Sequence, residues 1–414
     1  MNNLAVEKEN SAQVSFSKGS YVVLCYLLLL DLVMTFIVWQ KEPFITLSAI
    51  KANSAVCPPY FKECLSLYFL DTLPTSYGVY ILYTLLFSLV VMASFFLYKK
   101  MYKAFIITAA VPLLYKVLYL YFLTYLATGN YASLGIFFGI ILLFSTYKLF
   151  YLRLVFLMLY LCASVIKLHD GYLSGEVFSS LSLGVPFFPG WTIPYLGVAF
   201  LLFCIIAPLG LIFSKREHVR NWFLLFLILF HVYSSSMVGF RYPLLIIPIL
   251  FILWYHEKEH FIFKKEYLKD VVGVIVIVSM IILQVLPLFI KGDERITGEG
   301  YKYGYYMYDG NHQCESVKEV VFTDGGKQVL TWYNKRALFA CDPYEEWFKI
   351  QRVCASGLVA SVTWRYDHSL NGAPYRRIID EKNACNLKYM PFKHNAWIKE
   401  NRPAIATPVF KNGI

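Results

Sequence analysis

Lys167 stands in the run CASVIKLHDGYLSGEVFSSL, where an apolar helix gives way to a polar, glycine-punctuated loop. A lysine at such a border has two uses. It can snorkel, laying its stem along apolar surface with the ammonium in water. It can also act as a base, because apolar surroundings penalise the ammonium and a neutral amine takes a proton from a weakly acidic organic molecule. His169 and Asp170 follow at once. They either polarise and orient a ligand or merely solvate the loop and cap the helix. His231 lies inside the apolar run FLLFLILFHVYSSSMVGF. An imidazole at membrane depth faces the bundle interior, as a catalytic group or satisfied by a neighbouring hydroxyl such as those of Ser234–Ser236. Arg241, just beyond, is expected to pair with a carboxylate or a lipid headgroup. Asp31, within the first apolar run, is a candidate partner for a basic group in the bundle, unless the span starts late enough to expose it. In YHEKEH the two histidines are His256 and His260, four residues apart. The order H-E-K-E-H fits H-E-x-x-H, but so many lysines surround it that the segment reads as a solvated juxtamembrane face. No metal is expected. No P-loop, dinucleotide fingerprint or Gly-x-Ser-x-Gly elbow is present.

These residues need a membrane to position them. Of 414 residues, 58% are hydrophobic and only 16% charged, against about 25% charged in ordinary globular domains. Apolar runs near 21–39, 78–97, 104–126, 131–147, 150–166, 191–213 and 270–291 approach the roughly 20 residues that cross a hydrocarbon core. The stretch 222–254, interrupted by YSSSMVGFRY, is one long tilted helix or two short ones. The net charge of +11 fits basic cytoplasmic loops rather than nucleic-acid binding. The expected organisation is a cytoplasmic tail over 1–20, a helical domain over 21–291 and an extramembrane domain over 292–414.

The basic clusters set the orientation. Lys99, Lys100 and Lys103; Lys148; Lys215, Arg216 and Arg220; and Lys258, Lys264, Lys265 and Lys269 alternate as cytoplasmic loops when the N-terminus is inside and 222–254 crosses twice. That gives about nine crossings and an outer C-terminal domain. Six cysteines then share the outer side, where disulfides persist: Cys57, Cys64, Cys314, Cys341, Cys354 and Cys385. Cys25, Cys162 and Cys204 fall within spans and read as packing residues. In the outer domain, SVKEVVFTDGGKQVLTWYN is a hairpin turning at Asp-Gly-Gly, DPYEEWFKIQRVCA is a helix capped by Asp342, and a second hairpin turns at Asn371-Gly372. The fold class is a polytopic α-helical membrane bundle with a C-terminal β-rich α+β domain.

The segment VIKLHDGYLSGEVFSSL resembles the Lys-Leu segment of vitamin K-dependent gamma-carboxylases, which belong to the wider group of horizontally transferred transmembrane (HTTM) domain proteins. FHVYSSSM is similar to that family's Phe-His segment. GYYMYDGNHQCESVKEVVFTDGG resembles the start of its outer β-rich domain, including His312. TWRYDHSLNGAPYRRIID resembles a strand pair bearing Trp364, Asn371, Arg376, Arg377 and Asp380. The resemblance implies that Lys167 is the base that deprotonates reduced vitamin K or another quinone. It places His169, Asp170 and His231 with Lys167 as catalytic candidates, and His312, Trp364 and Arg377 as substrate-binding candidates. It also implies a disulfide between Cys64 and Cys354, leaving Cys314–Cys341 and Cys57–Cys385 for the rest. The family's longer loop before the lysine helix carries a functional histidine; TYKLFYLR here is short and has none. The quinone-base half of the chemistry therefore carries over better than glutamate carboxylation.

Three functions follow. The favoured one is a carboxylase-like membrane enzyme acting at the outer face on a lipid-soluble or peptide substrate, with membrane lipids as surroundings. The second is a non-catalytic scaffold that keeps the fold. The third is a transporter, which the few internal charges and the lack of an inverted repeat disfavour.

Overall fold

The computed structural model describes residues 16–38, 56–61, 64, 75–123, 125, 130–181, 184–238, 241–257, 260–301, 303–304, 310–334, 341–400 and 403–405. Lys258 and Glu259 of the histidine-rich run and Tyr305, Tyr306 and Tyr308 before the C-terminal sheet lie outside them. So does the side chain of Arg241.

The apolar runs form helices close to their expected bounds. These are α1 (Lys18–Val38), α2 (Thr75–Tyr98), α3 (Tyr102–Leu118, prolonged by a π-turn over Tyr119–Leu123), α4 (Asn130–Phe144) and α5 (Lys148–Val165). Two single turns follow, α6 (Asp170–Leu173) and α7 (Glu176–Ser179), then α8 (Ile193–Phe213). The interrupted stretch is two helices, α9 (Glu217–Val238) and α10 (Arg241–Phe251, prolonged by a π-turn over Ile252–His256). α9 packs against both α10 and its π-helical extension, so the chain doubles back between them. α11 (Val271–Val285) ends the bundle, and α12 (Glu294–Thr297) leads out of it. Among the described residues six helices are long and apolar enough to cross a membrane, and Ser133–Phe144 and Tyr242–His256 are shorter apolar helices.

Contacts sort the helix ends into two groups. At one end Glu257 Oε1 accepts from the Ser17 amide and hydroxyl at 3.2 and 3.0 Å, and the Ser20 hydroxyl meets His256 Nδ1 at 2.9 Å. Arg153, at the start of α5, donates to the carbonyls of Leu253 and Glu257 with its Nη2 at 2.6 and 2.7 Å. Asp270 receives the Ser145 hydroxyl and the amides of Thr146 and Tyr147, then caps α11 through Gly273 N at 3.1 Å. Lys99, Lys100 and Lys148 sit at the helix ends of this group. At the other end Tyr60 donates to the Tyr121 carbonyl at 2.5 Å, and the Tyr233 hydroxyl donates to Pro186 O at 2.8 Å. There the start of α8 crosses under α6 so closely that a Cβ on Gly197 would lie 1.8 Å from Tyr172 O. Between the ends, Asp31 of α1 pairs with Lys116 of α3 at 2.7 Å, both side chains fully buried. Asp31 is thus the partner of a basic group, as the sequence suggested.

The second unit is a four-stranded antiparallel sheet in the order β2-β1-β3-β4. Its strands are β1 (His312–Phe322), β2 (Lys327–Asn334), β3 (Val359–Leu370) and β4 (Arg376–Glu381). Both expected hairpins form. Gly325 takes φ +86° in the first turn, and Asn371 and Gly372 take φ +53° and +76° in the second, the pair of positive φ values that a tight hairpin demands. Helix α13 (Pro343–Ala355) starts where expected, with Asp342 Oδ1 accepting from Tyr344 N at 2.8 Å. The sheet's buried face and α13 share a core with the loop at 56–64 and Tyr125.

All six of the cysteines expected to pair are bonded, and Cys314–Cys341 forms as expected. The other two expected pairings, Cys64–Cys354 and Cys57–Cys385, are not made. Cys57 closes on Cys64 and Cys354 on Cys385, with Cα separations of 5.5 and 5.6 Å. The early loop is tied to the sheet unit by packing and hydrogen bonds instead. The Tyr344 hydroxyl donates to Cys57 O at 2.7 Å, and Cys57 and Cys64 pack in the core beneath the sheet with Trp347 and Tyr366.

Candidate functional site

Lys167 lies in the turn that ends α5. Its Nζ donates to the Ala163 carbonyl at 2.9 Å and stands 5.9 Å from the centre of the Tyr172 ring. The amine therefore folds back onto the bundle. It is within electrostatic reach of Cys204 on α8, and so is Tyr172. Tyr160 and Tyr242, from α5 and α10, reach the same thiol. His231 joins this cluster through Tyr160, whose hydroxyl bonds its Nε2, with Phe230 and Tyr242 against the ring at 5.3 and 5.4 Å. The sequence named serines 234–236 as the hydroxyls that would satisfy His231. They bond backbone carbonyls one turn back, those of His231, Val232 and Tyr233. The hydroxyl comes instead from a helix 71 residues away in sequence. His231 Nδ1 is buried and has no hydrogen-bond partner among the described residues.

His169 caps the start of α6 rather than the end of α5: its Nδ1 accepts from Tyr172 N at 3.2 Å. Asp170 is exposed in the first turn beyond it. These two residues form one wall of a cleft of about 370 Å³ whose other wall is the sheet unit, including His368, Asn371 and Arg376. The walls meet where Asn371 Nδ2 presses on Gly171, 2.7 Å from where a Cβ would sit. Asn311 fixes the contact, donating to Ser180 O at 2.8 Å, while its amide donates to Asn371 Oδ1 at 2.8 Å. Lys167 is not part of the cleft lining; it lies on the bundle side of the turn that carries His169.

The candidates on the sheet separate. His312 stacks on His368, rings 5.4 Å apart and 11° from parallel, with Nδ1 and Nε2 at 3.3 Å. Burial and the neighbouring His312 ring hold His368 well below the ordinary histidine range, so it faces the cleft as a neutral imidazole. Trp364 is fully buried in the sheet core, and its indole N–H donates to Ser316 Oγ at 3.1 Å. Arg377 grips Asp367 with two hydrogen bonds, at 2.9 and 3.3 Å. Trp364 and Arg377 thus have structural partners away from the cleft. Among the described residues no group of three His, Cys, Asp or Glu side chains is placed to hold a metal ion.

Sequence reasoning missed Tyr160, Tyr172 and Tyr242 and read Cys204 as packing. In a chain with 33 tyrosines, nothing local distinguishes Tyr172, beside Lys167, or Tyr160 and Tyr242, against His231. Comparison with protein-family models, with curated proteins and with solved structures yields no match. The likeness to the carboxylase group therefore rests on the quoted motifs alone.

Proposed function

We propose that the chain is an integral membrane enzyme of about nine crossings, with the sheet unit on the outer face, and that Lys167 takes a proton from a lipid-soluble substrate at that end. Two observations support the crossings: the grouping of helix ends, and the doubling back of α9 onto α10. Basic residues cluster at the end opposite the disulfides, as an inward-facing end requires.

The observation that carries the chemical reading is the placement of Lys167, whose amine folds back onto the Ala163 carbonyl and the face of the Tyr172 ring. The surroundings suit a hydroquinone such as reduced vitamin K, since the buried Nδ1 of His231, without a hydrogen-bond partner among the described residues, offers a hydroxyl a polar contact beside the rings of Tyr160, Phe230 and Tyr242. Such a quinol would supply an acidic phenol and an oxidisable ring. Tyr160 fixes the His231 ring, and Lys167 leaves the Ala163 carbonyl to accept the proton at Nζ. Peptidyl glutamate carboxylation is the further step that the resemblance implies.

The test is oxygen-dependent conversion of reduced vitamin K to its epoxide by the protein in nanodiscs, with label from carbon dioxide followed into a glutamate peptide. Lys167→Met should lower turnover by about 100-fold or more, the usual weight of a general base. Wild-type rates in that variant, or no turnover by the wild type, overturn the reading.

A second reading, a non-catalytic scaffold, is favoured by the same lysine. A helix-terminal carbonyl and an aromatic face are both contacts that an ammonium prefers.

A further inference from the structure

We infer that the cleft between the α6–α7 turns and the sheet binds a zwitterionic group, an ammonium joined to a phosphate or phosphonate, of the kind found in ethanolamine headgroups. The inference deepens the proposed function, since it rests on the cleft lying at the outer membrane face.

Its basis is charge that the protein leaves uncompensated. Asp170 and Glu176 line the cleft from the bundle side, and Arg376 lines it from β4. Among the described residues none of the three side chains makes an ion pair or a hydrogen bond. Opposite charges across a narrow cleft ordinarily close on each other. Here the walls are held in place by the neutral contacts of Asn371 with Gly171 and Asn311 with Ser180. Arg295, also in the lining, is already held by Asp293 at 2.6 Å and offers no vacant fork. His368 is neutral, so it neither competes for the anion nor repels the ammonium. An anion alone would face two carboxylates, and a cation alone would face the Arg376 guanidinium. A molecule carrying both charges satisfies both walls.

The level of the cleft favours a headgroup as the source. The α7 turn packs on the start of α8: a Cβ on Gly175 would lie 2.4 Å from Ile193 O. That start is ringed by exposed aromatic side chains, Phe187 at 91%, Trp191 at 76% and Tyr195 at 69%. Aromatic residues at the mouth of an apolar helix mark the headgroup layer. The same chemistry exists free in solution as glycerophosphoethanolamine, so the test separates the two sources.

Binding is measured on the full chain in phosphatidylglycerol nanodiscs, whose headgroups carry no ammonium, by calorimetry with glycerophosphoethanolamine, glycerol 3-phosphate and ethanolamine. A parallel series incorporates phosphatidylethanolamine and reads its protection of Arg376 from a guanidine-specific reagent. The zwitterion should bind at least about tenfold more tightly than either half, the weight of one charge-assisted hydrogen bond. Arg376→Gln should weaken it about tenfold. The double variant Asp170→Asn/Glu176→Gln should weaken the zwitterion but not glycerol 3-phosphate. These residues line an open cleft outside both cores, and an unchanged melting temperature verifies that the fold survives. Binding of the soluble form or protection by the lipid both support the site and name its source. Glycerol 3-phosphate binding as tightly as the zwitterion, tighter zwitterion binding by the double variant, or no binding of either form overturns it. Because no quinone is present, the two proposals fail separately. Intact headgroup binding without quinol turnover sinks proton transfer alone, and turnover without headgroup discrimination sinks this site alone.

Discussion

Asp31 and Lys116 meet at 2.7 Å with neither side chain exposed, and Gly135 makes room for them: a Cβ there would lie 2.4 Å from Asp31 Oδ2 and 2.5 Å from Lys116 Nζ. Three helices, α1, α3 and α4, are thereby registered on one charge pair in an otherwise apolar core. Removing one partner strands the other charge in hydrocarbon. Asp31→Asn or Lys116→Met should each cost about 3–5 kcal/mol, while the double variant recovers most of the loss. Unfolding in mixed detergent micelles measures this, and additive losses in the double variant would contradict the coupling.

Asp342 accepts from the Tyr125 hydroxyl and caps α13, and burial pushes its carboxyl up to about 8. A raised carboxyl favours the protonated fold. Its contribution is therefore complete below the unfolded value near 3.9 and is lost as pH rises to about 8, beyond which it is flat. Asp342→Asn keeps a good cap and should flatten that slope, so that the variant out-melts the wild type above pH 8. Parallel melting curves from pH 5 to 9 would contradict the assignment.

Arg377 holds Asp367, whose side chain is 1% exposed, so Arg377→Ala leaves a buried carboxylate unpaired. The expected loss is about 3 kcal/mol or more. Lysine cannot reproduce the two-pronged contact and should rescue little. A variant that melts like the wild type yet loses ligand binding would move Arg377 from structure to substrate.

The proposed sidedness predicts opposite labelling of two exposed positions. A membrane-impermeant maleimide on intact cells should label Gln328→Cys on β2 and spare Lys99→Cys at the end of α2. The reverse pattern would invert the topology.

What could be read in the sequence was local. Apolar runs gave the helices, positive-φ residues gave both hairpins, and Asp342 announced α13. Asp31 was legible because a carboxylate inside an apolar run must find a cation. Lys116 carries the same signal, lying in the middle of the 104–126 run, yet it was passed over, because sequence alone does not show which two helices bring such a pair together. The disulfides were legible as a set, but six cysteines allow many pairings and only the folded distances choose among them. The cleft was invisible because its walls, the 169–176 turns and the 371–376 turn, are brought together by tertiary contacts, those of Gly171 with Asn371 and of Asn311 with Ser180.

The most direct measurement is a cryo-EM structure in nanodiscs with reduced vitamin K added anaerobically. The account predicts a ligand against the Tyr160–His231 pair, with Lys167 Nζ released from Ala163 O and turned toward the ligand's hydroxyl. A ligand bound elsewhere, with Lys167 still on the Ala163 carbonyl, would contradict it.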